Sequence, residues 1–493
     1  MIGRFTVLSL ALLIAVVTSQ LTSAEGPWLG NGIKSGEATQ HSVLIWTRLS
    51  ARPNISGEGV PWPLIEPERD GDNWTFSAPQ IPDGHRLADM AYTLPGAPGE
   101  VRVSYWPEST SNMSSTSEWH AVDTERDFTH QFKLDDLQPG TRYQCIVEGR
   151  PAGGGEPTDR VQGYFRTAPS PSDAPGITFT VVTGQEFWRR DDDVNGHKIY
   201  PLMQKLNPDF FVHTGDIVYY DNDGPWVVNA DQARHKWNQM YALPFQRAFH
   251  NEVSSYFIRD DHDTWQNDCW PAMQNNKMGE FTYAQGVDIF FEQVPAPDRA
   301  KPWRTIRWGK DLQIWIPEGR DFRSPNTDPD GPEKTIWGAE QKAWFKQSVQ
   351  ESDAAFRVLI SPTPLVGPDR GNKKDNHANT VFAHEGSELR AFMAAQKNMV
   401  VVCGDRHWQY VSIDPETGLR EFCSGPTSNA HAGGFNEDQR ETMHQYLAVI
   451  GGFLSCTSRR VDGVPSLTFR HYDVDGKVVF EQTLTPETAV AKK

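Results

Sequence analysis

Six short, nearly unbroken apolar runs do most to limit the folds open to this chain. They are ITFTVV (177–182), DFFVHT (209–214), SSYFI (254–258), LQIWI (312–316), FRVLI (356–360) and MVVVC (399–403). Runs of this length, without the alternation of a half-solvated strand, fit strands covered on both faces. Helical-looking stretches separate several of them, including AEQKAWFKQSVQE (339–351) and EGSELRAFMAAQK (385–397). The expectation is a layered α/β or α+β domain spanning residues 177–485.

The chemistry lies at the carboxyl end of each run. The runs lead in turn into TGQEF, GDIVYY, RDDHD, PEGRDFRS, SPTPL and GDRHW. Layered α/β sheets bind ligands outside the carboxyl ends of their strands. Here that edge carries Asp216, Tyr219, Asp260, Asp261, His262, Arg320, Arg323, Asp405 and His407. One polar strand end means little, whereas five or six converging ones point to an active site. Gly215 and Gly404 each precede an Asp and let the backbone turn sharply. Asp and Tyr oxygens with one or two imidazoles suit hard or borderline cations such as Fe, Mn, Mg or Ca. No cysteine pair has the spacing of a thiolate zinc site. Arg320 and Arg323 read either as forked donors to an anionic ester or as ion-pair partners. His377, in the polar segment 367–380, reads as a ligand or as a satisfied loop histidine.

The segment 27–168 reads as all-β and predicts a small immunoglobulin- or fibronectin-like sandwich. SVLIWTRLS (42–50) and EVRVSYWPES (100–109) alternate in part, and Tyr143 follows the turn Leu137–Thr141 as in a tyrosine corner. Residues 169–176, rich in Pro and Ser, read as a linker. SLTFRHYDVDGKVVFEQTL (466–484) reads as a hairpin around Asp475-Gly476.

Residues 1–24 have the layout of a secretory signal: Arg4, the apolar LSLALLIAVV, and the small-residue end Thr22-Ser23-Ala24. This predicts a periplasmic or secreted protein without a transmembrane anchor. Losing Arg4 and no acid moves the formal charge from −17 to −18. Such acidity lacks the basic footprint that nucleic-acid binding needs. Five cysteines, none close in sequence, support no disulfide pairing. The chain has no G-x-S-x-G elbow, Walker A loop, G-x-G-x-x-G or H-E-x-x-H motif.

GDIVY, RDDHD with a following ND, PEGRDFRS and GDRH, in that order and each at a strand end, resemble the alkaline phosphatase D (PhoD)-like family of calcineurin-like metallophosphoesterases. The resemblance extends to SGEATQHSVLIWTRL (35–49) and so covers most of the chain past the leader. It implies a double β-sandwich flanked by helices, with metals at the strand ends. Carried over by position, Asp216 bridges two ions, and Tyr219, Asp405 and His407 ligate the first, Fe³⁺ in that family. Asp261 helps hold a second, divalent ion, Ca²⁺ by the same resemblance, with Mn, Mg or Zn as alternatives. His262 faces the scissile phosphate, Arg320 stands in the family's arginine block, and Asn267 matches an Asn close to the metals. Asp260 is either a further ligand or a buttress.

One block departs from the family. Where it reads S-C-Q, with cysteine as an iron ligand, this chain has Thr183-Gly184-Gln185-Glu186. Either the ion has one ligand fewer, or Gln185, Glu186 or water replaces the thiolate. The resemblance implies a phosphomonoesterase or phosphodiesterase that uses metal-activated hydroxide on a small-molecule, lipid or nucleotide phosphate ester. A phospholipase-D-like or sulfate-ester hydrolase on the same scaffold, and a non-catalytic, metal-containing secreted binding protein, are the competing readings.

Overall fold

The computed structural model describes residues 26–110 and 115–486. The expected leader, residues 1–24, lies outside the described residues. Two large mixed sheets face each other. The first runs in the order Val478–Leu484, Val464–Tyr472, Phe453–Val461, Ile177–Val182, Phe210–His213, Ser255–Phe257, Ile33–Gly36, Val43–Arg48, Thr129–Leu134. The second runs Arg304–Trp308, Leu312–Ile316, Phe356–Ser361, Met399–Cys403, Arg420–Ser424, Gln409–Ile413, His444–Ala448. All six apolar runs lie in these sheets. The pairs among 177–182, 210–213 and 255–257 are parallel, as are those linking 312–316, 356–361, 399–403 and 420–424.

The apolar runs are continuous because both faces of each strand are covered. Phe179, Val181, Phe210 and Val212 meet Ile314, Val358, Ile360, Val400 and Val402 between the sheets. On the outer face of the first sheet, Val182 and Phe211 pack on Ile199, Tyr200 and Met203 of the helix Ile199–Lys205. On the outer face of the second, Trp315, Leu359 and Val401 pack on Phe345, Leu389 and Met393 of the helices Gly338–Glu351 and Ala383–Ala394. Each such side chain contributes about 1.5–3 kcal/mol by leaving water. The result is an α/β arrangement of two sheets flanked by helices.

The N-terminal strands share the first sheet instead of standing apart. Gly36 pairs with Ser255 in a parallel bridge, which appends Ile33–Gly36, Val43–Arg48 and Thr129–Leu134 to the sheet. These three pack on a smaller antiparallel sheet, Asp159–Arg166, Arg142–Pro151 and Gly99–Pro107, through Ile33, Val43, Ile45, Val103, Val147 and Phe165. The Gln138 N–H donates to the Tyr143 hydroxyl at 2.8 Å, closing the corner. Residues 169–176 contain neither helix nor strand. Among the described residues no helix is long and apolar enough to cross a membrane, and all five cysteines are free and buried.

Candidate metal centre

The parallel strands of both sheets end at one place. Thr183 bridges to Pro426, the Gly184 N–H donates to Gly215 O at 3.2 Å, and the Asp405 N–H donates to Thr183 Oγ1 at 2.9 Å. A Cβ on Gly404 would stand 2.3 Å from Thr214 Oγ1 and 2.7 Å from Pro362 O, so only glycine lets these strand ends meet. The next residue, Asp405, has φ 64°, and Asp216 has φ 55°. Holding each in that left-handed region costs on the order of 1 kcal/mol, and such outliers gather where a site needs them.

Four carboxylates converge there. Asp216 Oδ1, Asp260 Oδ2 and Asp261 Oδ1 are buried without a hydrogen-bond donor, whereas Asp405 Oδ2 is paired with the neighbouring Arg406 guanidinium. Asp216, Asp260 and Asp405 can direct oxygens to one point, and so can Asp216, Asp261 and His262. A third group, Asp261, Asp268 and Asp375, already holds organic cations. Arg320 lies 3.6 Å from Asp261 and 3.7 Å from Asp375, and Lys373 lies 2.5 Å from Asp268. Burial pushes Asp261 up, but Arg320, His262 and Lys373 together hold it well below the usual carboxylate range. Around Asp216 the balance is reversed. Burial first, then Asp261 and Asp263, push its carboxyl up to about 8 against the opposing pull of His262. A buried acid in that state is short of a positive neighbour.

His262 faces this group from a rigid mount. Asp221 Oδ1 lies 2.5 Å from its Nδ1, and the rings of His262 and Tyr219 are 4.4 Å apart. Burial lowers its pKa, yet Asp221, Asp261 and Asp216 outweigh burial and raise it well above the ordinary imidazole value. The Tyr219 hydroxyl donates to Asp216 Oδ2 at 3.0 Å and lies 3.1 Å from His407 Nε2. Burial, then His431 and His262, keep His407 neutral, as a ligand must be.

A third imidazole completes the cluster. The ring of His431 lies 4.2 Å from that of His407 and 5.1 Å from that of Tyr219. Its Nδ1 donates to Gly184 O at 3.2 Å, and the Thr427 N–H and hydroxyl donate to the same carbonyl at 3.1 and 3.2 Å.

The profile of the PhoD-like phosphatase family matches residues 179–450, and that of its N-terminal domain matches residues 16–169. The chain belongs to that family. It is 20% identical over 397 residues to alkaline phosphatase D of Bacillus subtilis (strain 168), covering 72% of this chain and 60% of that protein. The matched region thus spans less than two thirds of that relative. Among solved structures it is similar to PhoD, with TM-score 0.68 and 16% identity over 94% of this chain and 90% of that one. It is also similar to the purple acid phosphatase PPD1 of yellow lupin (Lupinus luteus) seeds, with TM-score 0.58 and 13% identity over 92% and 74% of the two chains. These likenesses establish the double-sandwich fold.

In this PhoD-like chain the donor set fits cations. It offers oxygens from Asp216, Asp261, Asp405 and Tyr219 with the imidazole of His407 3.9 Å from Asp216, and no thiol, while His431 packs beside His407. Cys269, beside Asp261 O at 3.6 Å, has its thiol pushed up to about 12 by burial. The other expected residues lie around this set. Asp260 binds Arg320 Nε through Oδ1 at 2.6 Å while leaving Oδ2 free. Asp263 accepts from the N–H groups of Ile217 and Asp260, which joins the two acidic loops. Arg320 is fully buried and directed onto acids and Cys269 O. Arg323 is buried too and donates to Asn326 Oδ1 and Asp375 O. Asn267 is exposed, its N–H donating to Asp221 Oδ2. Gln185 takes the Tyr200 hydroxyl on its Oε1 at 2.6 Å, and Glu186 meets Asn222 and Arg189. His377 pairs with Glu385 at 2.9 Å. Two members of the cluster, Asp221 and His431, are not among the residues expected from sequence. Asp221 stands two residues past Tyr219, and His431 lies beyond the end of strand Arg420–Ser424 at the same sheet edge.

Proposed function

We propose that this chain is an exported, metal-dependent phosphoric ester hydrolase, acting on phosphomonoesters or phosphodiesters. The observation that carries the reading is the set of three buried carboxylate oxygens without donors, on Asp216, Asp260 and Asp261, the first two grouped with Asp405 at one point. Two cations would satisfy them. Asp216, Tyr219, Asp405 and His407 would hold one, and Asp261 with the shared Asp216 the other. An oxygen and imidazole set is compatible with the Fe³⁺ and Ca²⁺ expected from the resemblance, and with Mn, Mg or Zn. When bound, such ions polarise a phosphoryl group and ionise a water at neutral pH.

The chain's own groups do the rest. His262, kept charged by Asp221, donates a proton to the leaving oxygen or a hydrogen bond to the phosphoryl group. Asp263 and Arg320 keep the acidic loop in place by accepting from or donating to it. The apolar leader with its small-residue end supports export.

Elemental analysis combined with hydrolysis of aryl phosphate monoesters, diesters and sulfates tests this, on wild type and Asp216→Ala. At least one ion per chain and phosphate-ester turnover, both lost in the variant, are expected. A metal-free protein inert on all three classes would overturn the reading. Turnover confined to sulfates would replace phosphate with sulfate as the substrate.

A further inference from the structure

Beside the centre is a cavity of about 440 Å³. Segment 57–66 with Ala91 and Tyr92 forms one side, and residues 186–189 and 222–224 form the other. It adjoins the centre through two short pieces of chain. Glu186 is two residues from Gly184, and Asn222 directly follows Asp221, the carboxylate on His262. Asn222 Nδ2 donates to Glu186 Oε2 at 3.3 Å, which ties these pieces together, and the Ile65 N–H donates to Asp223 Oδ1 at 3.0 Å, which ties on the N-terminal side.

The lining is aromatic, and its polar edges are already used. Trp62 Nε1–H donates to Ala91 O at 3.0 Å and Trp188 Nε1–H to Gly224 O at 3.1 Å. Trp62 faces His235 at 4.9 Å and the Arg190 guanidinium lies over Tyr92 and Trp188 at 5.4 and 5.7 Å, so the aromatic surface open to a ligand is the exposed part of Trp188. Two large apolar side chains of this lining are conspicuously wet, Trp188 at 42% and Leu64 at 84% exposure. Exposed apolar surface concentrated at a concave site marks a binding region. Tyr92 is held there at φ 61°, a costly conformation for an aromatic residue.

Charge selects what enters. Among the described lining residues the acids are Glu66, Glu186 and Asp223, and the cation is Arg189, which is paired with Glu186 at 3.4 Å. A phosphoryl group would meet carboxylates in excess of cations. An uncharged ring system would meet the exposed apolar surface of Trp188 and Leu64.

We infer that this cavity receives the alcohol portion of the ester, and that the alcohol is a bulky, uncharged aromatic group. The inference rests on the phosphoric ester reading and takes the first of its two roles for His262, a proton given to the leaving oxygen, with Asp221 and hence Asn222 and Asp223 beside that ring. It adds the chemical class of the group that leaves.

Two measurements test it. In the first, naphthyl and phenyl phosphates are compared on wild type, Trp188→Ala and Trp188→Phe. The naphthyl-to-phenyl ratio of kcat/KM should exceed one in wild type and fall about tenfold in Trp188→Ala through KM, the size of a lost aromatic stack, with Trp188→Phe restoring most of it. In the second, titration calorimetry of 2-naphthol uses the full chain, its Asp216→Ala variant and Trp188→Ala. Naphthol should bind the first two alike and Trp188→Ala about tenfold more weakly. An unchanged ratio in Trp188→Ala, or naphthol that fails to bind wild type, overturns the assignment. If both esters are inert, the hydrolase reading fails and the calorimetry alone decides the cavity.

Discussion

His431 Nδ1 lies 3.2 Å from the carbonyl oxygen of Gly184, the residue that stands where the family resemblance placed a cysteine. Donating that N–H leaves the lone pair on Nε2. A metal-ligating imidazole is oriented in this way, with its other nitrogen spent on a carbonyl or carboxylate. The ring also stands beside His407 and Tyr219, whereas Gln185 and Glu186 are engaged elsewhere. His431→Ala is therefore expected to weaken retention of one ion by at least about 10–100-fold. Metal content after dialysis against graded chelator measures this. Retention equal to wild type would leave His431 a packing residue.

Gly184 offers the complementary test. A Cβ there would meet His407 Nε2 and Tyr219 Oη at 3.4 Å, an ordinary contact, so a side chain at 184 enters the centre. The φ of +50° strains any non-glycine residue by about 1–2 kcal/mol. Gly184→Cys and Gly184→Ala should both lower Tm by a few degrees. Only the cysteine variant should gain affinity for a thiophilic ion, read as Zn²⁺ retained in competition with Ca²⁺ or Mn²⁺. Equal metal selectivity in the two variants would mean that the thiol does not reach the ion.

Asp221 governs the charge of His262. With the carboxylate 2.5 Å from Nδ1, the imidazole stays protonated well above its ordinary pKa. An acid with a raised pKa keeps its proton as pH rises and loses it only on the alkaline side. Asp221→Asn lowers that pKa, so the alkaline limb of the kcat profile should move to lower pH by a unit or more. Loss of a positioned acid costs about 10²–10⁴-fold, so the variant's deficit should deepen with pH. A parallel drop at every pH would assign Asp221 a purely positional role.

Much of the centre was legible in the chain because each parallel strand changes from apolar to polar at the point where it leaves the core. Asp216, Asp261, Asp405 and His407 all sit at such changes, and the structure brings them together. His431 escaped because its strand, Arg420–Ser424, carries Glu421. That carboxylate is buried and takes the N–H groups of Leu365, Val366 and Gly367, which breaks the apolar run without exposing the strand. The direction of Arg320 was equally hidden, since residue type says nothing about which way a guanidinium points. The sharing of one sheet by Ile33–Gly36 and Ser255–Phe257 rests on a bridge between residues more than two hundred positions apart, and no local pattern announces it.

Glu385 gives a stability test away from the acidic cluster. It accepts from His377 Nε2 at 2.9 Å, Thr335 Oγ1 at 2.5 Å and the Ile336 N–H at 2.6 Å. Burial raises its pKa, but these donors bring the carboxyl down to about 2. A depressed carboxylate stabilises the fold above its unfolded pKa, and that contribution is lost as pH falls through the folded value. Glu385→Gln should cost on the order of 3 kcal/mol at pH 7. The gap from wild type should close as pH drops from about 4.5 toward 2, which urea melts across that window would show.

Arg320 separates anchoring from substrate binding. It is fully buried, bonded to Asp260 and within 4 Å of Asp261 and Asp375. Removing its charge strands three acids in the core, a change that costs about 3–5 kcal/mol when one partner of a buried pair is lost. Arg320→Gln should therefore lower Tm sharply, and saturating divalent cation should restore part of the loss by supplying positive charge to the same acids. Arg320→Lys should fall between the two, because an ammonium is a point charge that cannot serve several carboxylates at once. A substrate-binding arginine would behave differently, with KM raised and Tm unchanged. Melting curves with and without cation, set beside KM for an aryl phosphate, distinguish the two, and a rise in KM at constant Tm would return Arg320 to the substrate.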